Sequence, residues 1–82
     1  MDQIARTSNQ LGSILRRHRR LAGLSQTQLG EKNRLRQATI SAMENGEPGT
    51  QLRSVFHVMA ALGLEMVIRE RSKTGMTIED LL

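Results

Sequence analysis

The sequence predicts a small, mainly α-helical domain of four to five helices that ends in one short β-strand. Apolar residues recur at helical spacing in four segments, and Ser, Thr, Gly or Asn stands at the ends of these segments, where such residues favour helix termini. After the fourth segment the apolar spacing changes to two, which is typical of a strand. The chain has 82 residues, of which 38% are apolar, and therefore forms one domain with a limited core.

The first helix is expected to follow a flexible N-terminal arm. Residues 1–7 show no periodicity, and Ser8 is suited to cap the helix that comes next. Gly23 can end this helix in the left-handed conformation. His18 lies on the apolar side and is interpreted as a packed or boundary residue and not as a ligand. The expected apolar stripe consists of Leu11, Ile14, Leu15, His18, Leu21 and Ala22.

Two short helices come next. Ser25 and Gln28 form a capping box at the start of the second helix, which Asn33 and Arg34 interrupt. The third helix is predicted from Gln37 to Glu44, and the Asn-Gly pair at 45–46 is a strong stop signal.

The fourth helix is expected to begin after Thr50, which is suited to cap it, and to end at Gly63. Its expected apolar face consists of Leu52, Val55, Phe56, Met59, Ala60 and Leu62.

Residues 64–71 predict a dimerisation strand. Leu64, Met66 and Ile68 fall on one face, although Val67 interrupts the polar face opposite. A single strand leaves its backbone hydrogen-bonding groups unpaired, and the chain offers no clear second strand. We therefore expect a two-stranded antiparallel ribbon between the copies of a homodimer, with a fifth helix as the alternative. In the tail, 72–82, we expect a turn and a frayed end, with a docking peptide as the alternative.

The charge is unevenly distributed. The net charge is +4, but residues 1–41 carry eight basic and two acidic residues, whereas residues 42–82 carry four basic and six acidic residues. This asymmetry favours a polyanionic partner for the first half, and a solvated basic face is the alternative. Arg16, Arg17 and Arg20 are interpreted as such a solvated face, with phosphate contact as the other possibility.

Several function classes are disfavoured. The chain has no Cys, and its two His stand 39 positions apart, so neither a thiolate site nor an obvious metal spacing exists. It contains no nucleophile–base set, no phosphate-binding Gly loop and no paired carboxylates, which argues against an enzyme, a cofactor or a small-molecule substrate. No apolar run approaches the roughly 20 residues of a membrane span, and the first residues lack the apolar stretch of a signal peptide. We expect a cytoplasmic, nucleoid-associated protein without a membrane partner.

The second and third helices, joined by a tight turn, predict a helix-turn-helix arrangement. Ile40 and Met43 are expected to face inward, against Leu29 and Leu35. The helical period leaves the following residues outside or toward the edges of the third helix: Arg36, Gln37, Ala38 and Ser41 outside, Thr39 and Ala42 toward the edges.

The segment QTQLGEKNRLRQATISAMENG (26–46) resembles the helix-turn-helix of the XRE/Cro, or phage-repressor-like, family. The order, spacing and type of residues agree over four helices, so the resemblance covers about residues 8–63 and implies a lambda-repressor-like DNA-binding domain. Within that family, the QATIS run and the strand after the fourth helix are most similar to HipB-type antitoxins. Two positions depart from the family pattern: Gly30 stands where Ala is usual, and Arg34 stands where the turn often has Gly. Asn33 tolerates positive φ and could shift the turn by one residue.

The resemblance implies roles for individual residues. Arg36, Gln37, Ala38 and Ser41 would face bases, where Arg suits guanine, Gln suits adenine and Ala can touch a thymine methyl. Four others would contact the DNA backbone: Gln26, Thr27, Thr39 and Asn45. Arg19 and Glu44 would form a structural ion pair that bridges the first and third helices.

The resemblance also implies partners and a function. A homodimer would bind palindromic double-stranded operator DNA as a repressor, and a HipA-like kinase toxin would be the protein partner, with autoregulation of the shared operon. The alternative is a helix-turn-helix adaptor that binds proteins and has no specific DNA binding. An adaptor would be expected to expose acidic or apolar residues on the third helix, and this chain has polar and basic residues there.

Overall fold

The computed structural model describes residues 2–71, which contain four α-helices. Helix α1 spans Ser8–Leu21, α2 spans Gln26–Asn33, α3 spans Gln37–Glu44 and α4 spans Leu52–Ala61. Helix α3 contacts α1 and α2, and α2 also contacts α4. None of the helices in this described part has the length and apolar content that a membrane crossing requires.

The C-terminal segment has no regular secondary structure as far as residue 71. The alternative of a fifth helix over 64–71 is therefore wrong, and the single chain shows no strand within residues 2–71. The Leu64 amide donates a hydrogen bond to the Met59 carbonyl at 2.8 Å, so the chain turns back at the end of α4. Leu64 packs against the core, whereas Met66, Val67 and Ile68 are exposed. The predicted turn and tail at 72–82 lie outside the described residues.

One of the three predicted helix N-caps is confirmed, and the other two lie one residue away from the predicted position. The capping box of α2 is confirmed: the Gln28 amide donates to Ser25 Oγ at 3.0 Å, and the Ser25 amide donates to Gln28 Oε1 at 2.8 Å. Helix α1 begins at Ser8 itself, because the Thr7 hydroxyl oxygen accepts the bond from the Gln10 amide at 3.0 Å. Ser8 is therefore the first helical residue and not the cap.

The expected cap of α4 is also wrong. Gln51 is the N-cap residue, and its side chain makes no capping hydrogen bond. The Thr50 hydroxyl lies one residue too early and instead donates to the Glu47 carbonyl at 3.3 Å. A capping side chain must reach an amide two or three residues ahead, and this requirement makes helix starts sensitive to a shift of a single position.

The core lies where the helices meet. Its buried apolar residues are Leu15, Leu29, Ile40, Met43, Val55, Val58 and Met59. The expected apolar faces were partly wrong: Leu52 and Phe56 are 61% and 43% exposed, and Leu21 is 71% exposed. Val58, which the expected face omitted, is 1% exposed. When an apolar stripe is too wide for the neighbouring helix to cover, part of it remains in water. The helical period alone does not tell which part.

The turn between α2 and α3 is not shifted by one residue. Asn33 is the last residue of α2, and its Nδ2 donates to the Leu29 carbonyl at 2.9 Å. Arg34 itself adopts the left-handed conformation, with φ of 56° and ψ of 39°. The Leu35 amide then donates to the Gly30 carbonyl at 2.8 Å, which closes the turn.

Two glycines allow close approach of the backbone. A Cβ atom at Gly30 would lie 2.5 Å from the Leu35 carbonyl oxygen, so even Ala would force the turn to move. A Cβ atom at Gly12 would lie 2.6 Å from the Met43 carbonyl oxygen. Helix α1 therefore packs directly on the C-terminal end of α3, and this contact brings Arg19 to Glu44.

Candidate nucleic-acid interface

The outer face of α3 is open to solvent. Ile40 and Met43 are buried against the neighbouring helices, so the opposite side of α3 points away from the core. Arg36, Gln37 and Ala38 are exposed, and Ser41 is half-buried on this face. Thr39 and Ala42 are half-buried at the edges. The helix therefore presents one basic and several short polar or small side chains on a surface that no other part of residues 2–71 covers.

Arg19 and Glu44 lie together beneath α3. Arg19 Nε donates to Glu44 Oε2 at 2.6 Å, and Arg19 Nη2 donates to Glu44 Oε1 at 3.1 Å. The two residues are 7% and 3% exposed. Arg19 Nη1 also donates to the Leu24 carbonyl at 2.8 Å. The guanidinium thus joins α1, the loop after it and the end of α3 in a paired geometry that matches a planar carboxylate.

Gln26 connects this ion pair to the outer face of α3. Gln26 Nε2 donates to Glu44 Oε1 at 3.0 Å. Its Oε1 accepts a bond from Gln37 Nε2 at 2.5 Å. Gln26 is the first residue of α2 and Gln37 is the first residue of α3, so these bonds tie the N-terminal ends of the two helices together. Both glutamines were predicted to lie at the DNA, but no bond between them was predicted from the sequence.

Arg16 also takes part in this network, beside Glu44 and Asn45. It was assigned to a solvated face, but its Nε lies 3.4 Å from Glu44 Oε1 and its Nη2 donates to Asn45 Oδ1 at 2.8 Å. Residues three positions apart lie on neighbouring parts of one helix face, so the spacing from Arg19 to Arg16 could have indicated a shared partner. Arg17 and Arg20 are exposed, as expected.

The remaining predicted site residues lie around this network. Thr27 is exposed in the first turn of α2. Asn45 is exposed directly after α3, and its Oδ1 already accepts the bond from Arg16. Exposed Arg34 and Arg36 stand at the turn that precedes α3. No group of three or more His, Asp or Glu side chains that could hold a metal ion is found in residues 2–71.

The Glu44 carboxylate has a pKa below the ordinary value of 4.5. Burial alone would raise this pKa. Hydrogen bonds from Arg19 and Gln26, the positive charge of Arg19 and the bond from Arg16 outweigh the burial and lower it. Glu44 is therefore ionised at neutral pH and can only accept hydrogen bonds.

Comparison with known proteins agrees with the helix-turn-helix fold. The family model of the helix-turn-helix domain matches residues 10–66. Among solved structures, the chain is similar to a chain of the HipA–HipB–O2–O3 complex and to one of the HipB–O4 20mer complex. Each comparison gives 30% identity and a TM-score of 0.79, and covers 87% of this chain and 100% of the other.

A structure described as MDT Protein matches with the same identity, coverage and TM-score. A search of curated proteins found no match. The matched residues include α1 from Gln10 onward, the whole of α2, α3 and α4, the turn at Arg34 and the network around Glu44. The chain therefore belongs to the helix-turn-helix domain family and is of the HipB type within it.

Proposed function

We propose that this chain is a sequence-specific transcriptional repressor that binds palindromic operator DNA as a homodimer. We further propose that it is the antitoxin of a HipA-like kinase toxin and autoregulates the operon that encodes both. The observation that carries the proposal is the exposed outer face of α3, where Arg36, Gln37, Ala38 and Ser41 stand above a buried, hydrogen-bonded support.

The exposed side chains suit base recognition in a major groove. Such a groove is about 12 Å wide and admits one α-helix. Arg36 can donate two bonds to guanine, Gln37 can pair with the N6 and N7 edge of adenine, and Ala38 can touch a thymine methyl. Ser41 lies one turn further along the same face and can donate to or accept from a base.

A second set of residues suits the phosphate backbone. Gln26 and Thr27 lie at the N-terminal end of α2, where free backbone N–H groups favour an anion. Thr39 and Asn45 flank the outer face of α3 on its edge and beyond its end. Such contacts position a protein on DNA without carrying sequence information.

The exposed apolar side chains of the C-terminal segment support the proposal of a homodimer. Met66, Val67 and Ile68 are 42%, 70% and 90% exposed, which is unusual for three consecutive apolar residues in so small a domain. An antiparallel ribbon formed with the same segment of a second copy would pair the backbone groups of residues 64–71 and place Met66 and Ile68 together on one face, where they can be covered. The two copies of α3 would then stand about one DNA turn, or a multiple of it, apart.

The similarity to a chain of the HipA–HipB–O2–O3 complex supports the kinase toxin as a protein partner. A helix-turn-helix fold of this kind is typical of DNA-binding proteins that are not enzymes. The test is co-expression with the kinase-like product of the neighbouring gene. A stable complex and loss of toxicity would support the antitoxin assignment, and separate elution with undiminished toxicity would contradict it.

The central experiment measures binding to the promoter region of the gene itself at two salt concentrations. Wild type should bind specific DNA, and Gln37→Ala should lose about 1–3 kcal/mol of discrimination at one base position. Gln51→Ala is the matched control, since Gln51 is an exposed glutamine with no capping hydrogen bond and stands outside the predicted interface. It should keep the full discrimination. Weak, sequence-independent binding that does not depend on Gln37 would instead favour the adaptor.

A further inference from the structure

Two hydrogen bonds connect Gln37 to Gln26 and Gln26 to Glu44, and the carboxylate fixes which group donates in each. An ionised carboxylate only accepts, so Gln26 must turn its Nε2 toward Glu44. The opposite end of the same amide, Oε1, then faces Gln37, and Gln37 must donate one of its two Nε2 hydrogens to it. Each amide is therefore oriented by the one before it, beginning at the carboxylate.

This direction determines what Gln37 has left to offer a ligand. One of its N–H groups is used by Gln26, so one N–H donor and the Oε1 acceptor remain. In the major groove adenine presents one donor and one acceptor, N6–H and N7, which this pair matches. Guanine presents two acceptors, N7 and O6, and would need both N–H groups of the glutamine.

We infer that Glu44 acts through Gln26 as the positioning residue that makes Gln37 prefer adenine over guanine. The inference rests on the proposed DNA-binding function and deepens it. Glu44 is suited to this role because it is almost completely buried and accepts hydrogen bonds from Nε and Nη2 of Arg19. Arg16, on the solvent side, gives Oε1 a further donor at 3.4 Å. The carboxylate therefore cannot rotate to another partner without breaking the contact between α1 and α3.

The first test reverses the direction of the hydrogen bond between residue 26 and Gln37. Lysine has only donors, so in Gln26→Lys the ammonium can pair with Glu44 but must also donate to Gln37. Gln37 would then turn its Oε1 inward and present two N–H groups outward. At the base position that Gln37 reads, identified with Gln37→Ala, wild type should prefer adenine by about 5- to 150-fold, and Gln26→Lys should prefer guanine.

The control is Gln51→Lys, the same substitution at an exposed helix N-cap outside the network. The added charge should raise its affinity for DNA with either base and leave the ratio unchanged. A Gln26→Lys protein that keeps the wild-type preference for adenine would overturn the inference.

The second test isolates Glu44. In the double variant Arg19→Met, Glu44→Met, both charges are removed together, which leaves no unpaired buried ion and often preserves folding. Gln26 and Gln37 are intact but no acceptor orients them, so the adenine preference should shrink to less than half of the wild-type ratio. A double variant that is folded by circular dichroism and keeps the full preference would contradict the role of Glu44.

Should the double variant fail to fold, Glu44→Gln takes its place, because its amide can donate as well as accept and so no longer fixes the direction of Gln26. An undiminished adenine preference in folded Glu44→Gln would contradict the role of Glu44. Failure of the proposed function has a different signature, because the wild-type protein itself would then show no base preference at any position that Gln37→Ala affects.

Discussion

The buried Glu44 carboxylate links the protonation of one residue to the stability of the fold. Its pKa is lower in the folded protein than the ordinary value of 4.5, because the bonds from Arg19, Gln26 and Arg16 outweigh the effect of burial. The unfolded chain therefore binds a proton more readily than the folded protein does. The resulting stabilisation is fully present above the unfolded pKa and is lost as the pH falls through the folded pKa.

We predict that the free energy of unfolding falls when the pH drops below about 4.5 and that Glu44→Gln weakens this dependence. The variant should also lose about 2 kcal/mol at neutral pH, since a charge-assisted pair is replaced by neutral hydrogen bonds. Urea denaturation of both proteins at several pH values measures this. Glu31→Gln, at an exposed position of α2, is the control and should retain the wild-type fall. An equally steep fall in Glu44→Gln would show that other carboxylates cause it.

At the scale of elements, the turn between α2 and α3 contains local strain. Arg34 has a φ of 56°, a conformation that costs an L-residue with a side chain roughly 1 kcal/mol. Glycine avoids most of this cost, although it also increases the entropy of the unfolded chain.

We predict that Arg34→Gly leaves stability unchanged or raises it by up to about 1 kcal/mol. Arg17→Gly, the same substitution at an exposed position inside α1, should lower stability by about 1 kcal/mol. Thermal and urea unfolding of the two variants provide the comparison. A clear loss of stability in Arg34→Gly would mean that the arginine side chain contributes contacts that outweigh its backbone strain.

Features that depend on near neighbours in the sequence were predictable. The capping box at Ser25 and Gln28, the bounds of α3 and the inward side of the helix-turn-helix all follow from patterns within about one or two turns. The starts of α1 and α4 were displaced by one residue because Thr7 and Gln51, not their neighbours, occupy the cap positions.

Long-range features were predictable only where the family resemblance supplied them. The Arg19–Glu44 pair was anticipated in this way, since its members stand 25 positions apart and no periodicity links them. The bonds from Gln26 to Glu44 and to Gln37 were not anticipated, because amide side chains can pair with many partners. Which of the apolar residues of α4 remain in water also depends on the placement of α2 and not on α4 alone.

At the scale of the whole molecule, the proposed dimer should depend on one face of the C-terminal segment. Met66 and Ile68 lie on one face of the predicted strand, Glu65, Val67 and Arg69 lie on the other, and Leu64 is already packed against the core of its own chain. An antiparallel ribbon would place Met66 and Ile68 on the same side, where they can be covered.

We predict that Met66→Ser, Ile68→Ser converts the dimer to a monomer in sedimentation velocity and leaves the helical circular dichroism unchanged. The matched control Glu65→Ser, Arg69→Ser alters the opposite face and should remain dimeric. DNA affinity should fall strongly only in the first variant, since the monomer contacts a single half-site. A first variant that stays dimeric would place the dimer interface elsewhere, with exposed Leu52 and Phe56 of α4 as the next candidates.

In the proposed dimer two copies of α3 read two related half-sites, and a hydroxyl-radical footprint on the gene's own promoter region can detect both. We predict two protected half-sites related by two-fold symmetry, with centres about 34 Å or a multiple of it apart. The logarithm of the binding constant should fall with the logarithm of salt with a slope of about −5 to −7, as expected for six to eight neutralised phosphates. Continuous protection without a symmetric pattern, independent of Gln37, would contradict operator recognition by a dimer.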